Sequence, residues 1–165
     1  GSRVARKDLK RLTKVYVEQF LEYCEPILAD PETPPHILKV SEDKTSARLE
    51  FPPQDAEGFT VAITADLYGI VVHAGELEHV HFEEGLHITQ DIENAFGYAR
   101  DLLSPKMRLL ERLAGSKVYW SGSEYFDGKV WRFEHWTGSL FFNYFGKRTS
   151  HLKMNRQLPA RIDPL

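Results

Sequence analysis

Four of the seven histidines fall in one stretch, HAGELEHVHFEEGLH, residues 73–87. Side chains alternate between faces on an extended strand, so His79, His81 and Glu83 would share a side. Two imidazoles and a carboxylate at that spacing form a ligand set for zinc or another divalent ion. The same residues also read as solvated strand positions, and on that reading no metal or cofactor is bound. Glu76, Glu78, Glu83 and Glu84 then make a dense anionic surface with His79 and His81 beside them. A second candidate is a pair of tripeptides of one pattern, His87-Ile88-Thr89 and His135-Trp136-Thr137. Other catalytic patterns fail: the chain holds no G-x-S-x-G, no Gly-rich phosphate loop, no H-E-x-x-H and no Cys–His nucleophile pattern.

Charge sharpens the picture. The formal net charge of −3 hides a partition in which residues 49–99 carry ten Asp/Glu and no Lys/Arg. Residues 100–165 carry twelve Lys/Arg and six Asp/Glu. An asymmetry of this kind speaks to partners more than to fold. The basic tail with Lys147, Arg148, His151, Lys153, Arg156 and Arg161 reads as a solvated edge, and no nucleic-acid partner is expected. A hydrophobic content of 42% and a charged content of 27% fit a globular domain. No run is long enough to span a bilayer, and the single Cys24 points to a reducing, cytoplasmic setting.

These residues need elements to hold them. Leu9, Leu12, Val15 or Tyr16, Phe20 and Tyr23 predict a helix over 6–24 that Pro26 ends. Alternating runs at 36–40, 46–51, 59–65, 70–74 and 77–82 predict short strands. Ile92, Ala95, Phe96, Ala99 and Leu103 predict a central helix over 91–103, capped by Thr89 or Asp91. Met107–Leu113 reads as strand or helix, with strand favoured because a Gly115-Ser116 turn would pair Leu113 with Val118. The stretch Val118–Phe145 holds all three Trp and reads as a meander turning at Asp127-Gly128 and Thr137-Gly138. That register puts Trp120, Phe126, Trp131, Phe133, Phe142 and Tyr144 on one buried face, with Ser121, Ser123, Arg132, Glu134 and Asn143 opposite. An edge strand over 148–154 follows. The expected architecture is one α+β domain over 1–165: an N-terminal helix, an antiparallel sheet with a C-terminal aromatic-rich meander, and one central helix. Gly1-Ser2 reads as a cloning remnant and 155–165 as an extended tail.

The two His-x-Thr tripeptides resemble the motifs of 2H phosphoesterases, which implies an acid–base pair acting on a phosphodiester. Gln90 and Gly138 stand where that family has an apolar residue. The order DIENAFGYARDLLSP, then MRLLERLAGSKVYW, then the D-G-K-V-W hairpin resembles small α+β immunity proteins of bacterial polymorphic toxin systems, across residues 88–142. That resemblance implies a non-catalytic cytoplasmic protein that covers the active or substrate-binding site of a cognate toxin. Taken with the charge partition, the toxin would present a basic surface to Glu76, Glu78, Glu83 and Glu84. The alternative is a His/Glu metal-dependent or 2H-like phosphoesterase.

Overall fold

The computed structural model describes residues 2–83, 85, 87–139 and 145–161. Its elements are α1 (Ser2–Ala29), β1 (Ile37–Val40), β2 (Ala47–Phe51), β3 (Val61–Asp66), β4 (Gly69–Ala74), β5 (Glu78–Phe82), α2 (Ile88–Leu102), β6 (Met107–Ala114), β7 (Lys117–Phe126), β8 (Trp131–Gly138) and β9 (Arg148–Lys153). The fold is α+β with two antiparallel sheets, ordered β1-β2-β3-β4-β5 and β8-β7-β6-β9.

The first sheet is a meander that follows the sequence alternation closely. Leu49, Phe51, Val61, Ile63, Ala65, Ile70, Val72 and Ala74 are buried on its inner face. Both helices pack there. From α1 come Val17, Phe20 and Cys24, and from α2 Ile92, Ala95, Ala99 and Leu102. The Phe96 ring meets Phe20 at 5.8 Å and Tyr23 at 4.7 Å between centroids. Met107 and Leu109 of β6 join the same core. Helix α1 runs on through Pro26, which removes one i→i−4 hydrogen bond near the C-terminal end without ending the helix there. Its buried stripe is Thr13, Val17, Phe20 and Cys24, so Leu9, Leu12 and Val15 lie exposed, not inside as the spacing suggested. Helix α2 starts at Ile88, before both expected caps. His87 is its N-cap without a side-chain bond, and Asp91 instead accepts the Gly85 N–H at 2.7 Å.

The second sheet departs from expectation in register. β6 is a strand, and the Gly115-Ser116 turn pairs Leu113 with Val118 as anticipated. One residue later Tyr119 bulges out, because Arg112 pairs with Trp120. That single extra residue moves Trp120 to the face opposite Met107 and Leu109. The Asp127-Gly128 loop spans four residues, not two, so Phe126 pairs with Trp131 and Glu124 with Phe133. Asp127 widens it by accepting the N–H groups of Lys129 at 2.8 Å and Val130 at 2.9 Å. Those bonds and the Arg132 guanidinium hold its carboxyl near a pKa of about 2. A second bulge at Glu134 brings His135 opposite Ser123. No hairpin forms at Thr137-Gly138: those residues pair with Ser121 and Trp120, so β8 runs through them. Their proposed partners Leu140, Phe142 and Tyr144, with Asn143, lie outside the described residues, as do Gly1, Glu84 and the last four residues of the tail.

The net effect reverses the expected faces. Trp120 and Trp131 are half-buried and Phe133 is 54% exposed, while Ser121 and Ser123 face inward with no exposure. β9 crosses over to lie beside β6, not β8. The chain after it is tied down. Asn155 is buried, accepts the Phe59 N–H at 3.0 Å, and donates to the carbonyls of Phe59 and Leu102 at 3.1 Å each. Gln157 and Leu158 donate their N–H groups to Leu103 O. Among the described residues no helix is long and apolar enough to cross a membrane.

Candidate functional site

The β4–β5 hairpin divides the His/Glu segment between two faces. Ala74 pairs with Glu78, His73 with His79 and Val71 with His81. His73, His79 and His81 therefore line the outer face of the first sheet, with ring centroids 6.4 and 5.5 Å apart in sequence order. His79 donates Nδ1–H to Leu77 O at 3.1 Å, and His73 Nε2 is hydrogen-bonded to Thr64 Oγ1 at 3.1 Å. Burial, then the Arg48 charge and the neighbouring His79, push the His73 pKa below its ordinary value. Glu83 follows the end of β5 and is exposed, as is Glu76 in the turn. Among the described residues no three His, Cys, Asp or Glu side chains converge to hold a metal ion.

Glu78 corrects the sequence reading. It was expected on the acidic surface, but the pleat aims it inward and it is 1% exposed. There its Oε1 accepts a hydrogen bond from His135 Nδ1 and another from Thr137 Oγ1 at 3.1 Å. The first sheet is thus clamped to the edge strand of the second by one carboxylate. The neighbouring inner-face row carries a second buried acid, Glu111, paired with Lys153 Nζ at 2.8 Å. Tyr98 Oη and Ser123 Oγ share a hydrogen bond of 2.9 Å beside them, and burial raises the Tyr98 pKa well above its usual value. Glu78 Oε2, Glu111 Oε2 and Ser121 Oγ have no hydrogen-bond partner among the described residues. On β6, Glu111 interrupts the inner-face row of Met107 and Leu109, and it is the sequence trace of this polar seam. The two His-x-Thr tripeptides occupy unlike places. His135 and Thr137 lie on a strand facing Glu78, whereas His87 and Thr89 are exposed at the start of α2.

The other face of the second sheet is open. Arg108 lies over the Trp131 ring at 4.2 Å and Arg112 over the Trp120 ring at 4.4 Å. Arg108 also pairs with Glu124 at 3.3 Å. Phe126, Phe133, Trp136 and Leu152 are exposed around them. Elsewhere, a cavity of about 560 Å³ lies between α1, α2 and the loop after α1. Tyr23, Phe51, Phe96 and Leu158 form its walls, and its rim mixes Asp30, Glu93, Arg100 and Arg161, so it selects no single charge.

No protein-family model, curated protein or solved structure matches this chain. The reading of function therefore rests on the residues themselves.

Proposed function

We propose that this chain is a non-catalytic binding protein that neutralises a cognate bacterial toxin by covering its active or substrate-binding site. One observation carries the reading: charge divides along the fold. Residues 37–82, which span the first sheet, hold three Lys/Arg and eight Asp/Glu, while residues 106–153, which span the second, hold nine and four. Glu76 and Glu83 are exposed at the two ends of edge strand β5, and His81 is exposed between them. Such a surface steers a basic partner, as an inhibitor of a polyanion-processing toxin requires. Glu78 leaves the contact set, since it serves inside.

Reversing Glu76 and Glu83 to Lys should slow association with a toxin encoded beside the gene, and the native rate should fall as salt rises. A salt-independent rate, or one unchanged in the double variant, would end this assignment.

The Glu78–His135 pair favours a second reading, an acid–base enzyme. The carboxylate fixes one ring nitrogen while the His135 side chain stays 42% exposed. Phosphodiester hydrolysis lost in His135→Ala and kept in His87→Ala would select that reading instead.

A further inference from the structure

We propose that the open face of the second sheet is a stacking platform for single-stranded nucleic acid. The sequence alone suggested no such partner, because the basic tail read as a solvated edge of a chain that is acidic overall.

The geometry starts from two glycines. A Cβ on Gly122 would lie 2.7 Å from the Trp120 ring and 3.1 Å from the Phe133 ring. A Cβ on Gly138 would meet the Trp136 ring at 3.4 Å. Ring edges therefore lie over bare backbone, and neighbouring rings tilt against one another, Trp120 and Phe133 by 57° at 5.8 Å between centroids and Phe126 and Trp131 by 46° at 5.4 Å. Phe133 at 54% and Trp136 at 60% exposure are the two most open of these. Exposed rings close to one another on an antiparallel sheet suit planar ligands that stack in succession.

Charge selects the backbone of the ligand. The segment 106–153 carries nine Lys/Arg against four Asp/Glu. Arg108 is neutralised by Glu124, but among the described residues no carboxylate pairs with Arg112. Its guanidinium lies over the Trp120 ring, 4.4 Å from the centroid, a position that suits it to meet an anion beside a stacked base. Lys117 and Arg148 flank the β6–β7 turn at the same end of the sheet, opposite Ala114. A chain of phosphates beside planar bases matches both features, while the acidic first sheet orients the polyanion away from itself. This surface lies apart from the acids assigned to the toxin, so the two proposals fail separately.

The test uses the whole protein and a fluorescein-labelled oligothymidylate of about twelve nucleotides, within the footprint typical of one stacking domain. Anisotropy should show saturable binding with quenched tryptophan fluorescence. Phe133→Ala and Trp136→Ala should each weaken it by about 5- to 150-fold, the range for losing one stacked base. Arg112→Gln should make the log–log salt dependence shallower by about 0.7. Phe133→Leu and Trp136→Leu keep apolar bulk and guard against misfolding, with circular dichroism as the check; they too should weaken binding. No saturable binding at low salt overturns the proposal. So does displacement by heparin or polyglutamate together with undiminished affinity in the aromatic variants, since that would be charge attraction or a protein-type surface only.

Discussion

Truncating Glu78 tests whether the inward carboxylate joins the sheets. Glu78→Ala removes two hydrogen bonds to a charged acceptor, from His135 Nδ1 and Thr137 Oγ1. Bonds of that type contribute about 1.5–3 kcal/mol each. Two features lower the total. His135 is half-exposed and regains water, and the unpartnered Oε2 ceases to be a desolvated atom. Breaking a buried pair usually costs about 3–5 kcal/mol because a charge is stranded. Here the stranded group is an accessible imidazole, so the expected loss is about 2–3 kcal/mol. At about 2–4 °C per kcal/mol for a chain of this size, the melting temperature should drop by about 4–12 °C. Glu78→Gln keeps an oxygen in place and should cost about 1 kcal/mol. Urea unfolding followed by tryptophan fluorescence supplies the numbers. A cycle with His135→Ala should show a coupling of about 1 kcal/mol. A Glu78→Ala protein within about 0.5 kcal/mol of the parent would refute the clamp.

Three further outcomes are expected. A Cβ on Gly146 would lie 2.7 Å from Gly115 N and 2.8 Å from Ala114 C, both backbone atoms that cannot step aside. Gly146→Ala should therefore lower the urea midpoint, at a cost of about 1–3 kcal/mol. His73 binds its proton less readily folded than unfolded, so its contribution is complete above its ordinary pKa of 6.5 and fades as pH falls below that toward the depressed value. Urea midpoints across that acid range should fall more steeply for the parent than for His73→Gln, and parallel profiles would contradict this. Burial pushes the Cys24 thiol up to about 12, so iodoacetamide should label it at mildly alkaline pH only after unfolding. Rapid labelling of the native protein, read by mass, would show that α1 opens locally.

Element existence was legible in the sequence; facing was legible in the first sheet and not in the second. The first sheet declared itself because Phe59, Val61, Ile63 and Ala65 alternate without interruption and the turns are short. In the second sheet Tyr119 and Glu134 each add one residue, and a period-two pattern cannot reveal where an insertion falls. The aromatic face was thus assigned inward when it lies outward. Asp127-Gly128 promised a two-residue loop, and the Asp127 side chain built a wider one. Within the site, the alternation ELEHVHF already separated Glu78 from His79 and His81. What it could not supply was the sheet that Glu78 faces, because His135 lies 57 positions away. The Arg108 and Arg112 stacks were equally hidden, since their tryptophans sit on other strands.

The crossover of β9 also sets an order of events during synthesis. β6 emerges long before its outer neighbour, with the 33 residues of 115–147 between them. At about 5–20 residues per second the gap lasts about 2–7 s. Throughout it, one side of β6 offers unpaired amides to any passing strand, and Glu111 waits without Lys153. Asn155 comes later still, and only then do Phe59 and Leu102 acquire the side chain that bridges them. The nascent chain therefore holds its first sheet and helices ready while its second remains open at one edge, and closure waits for residues 148–155.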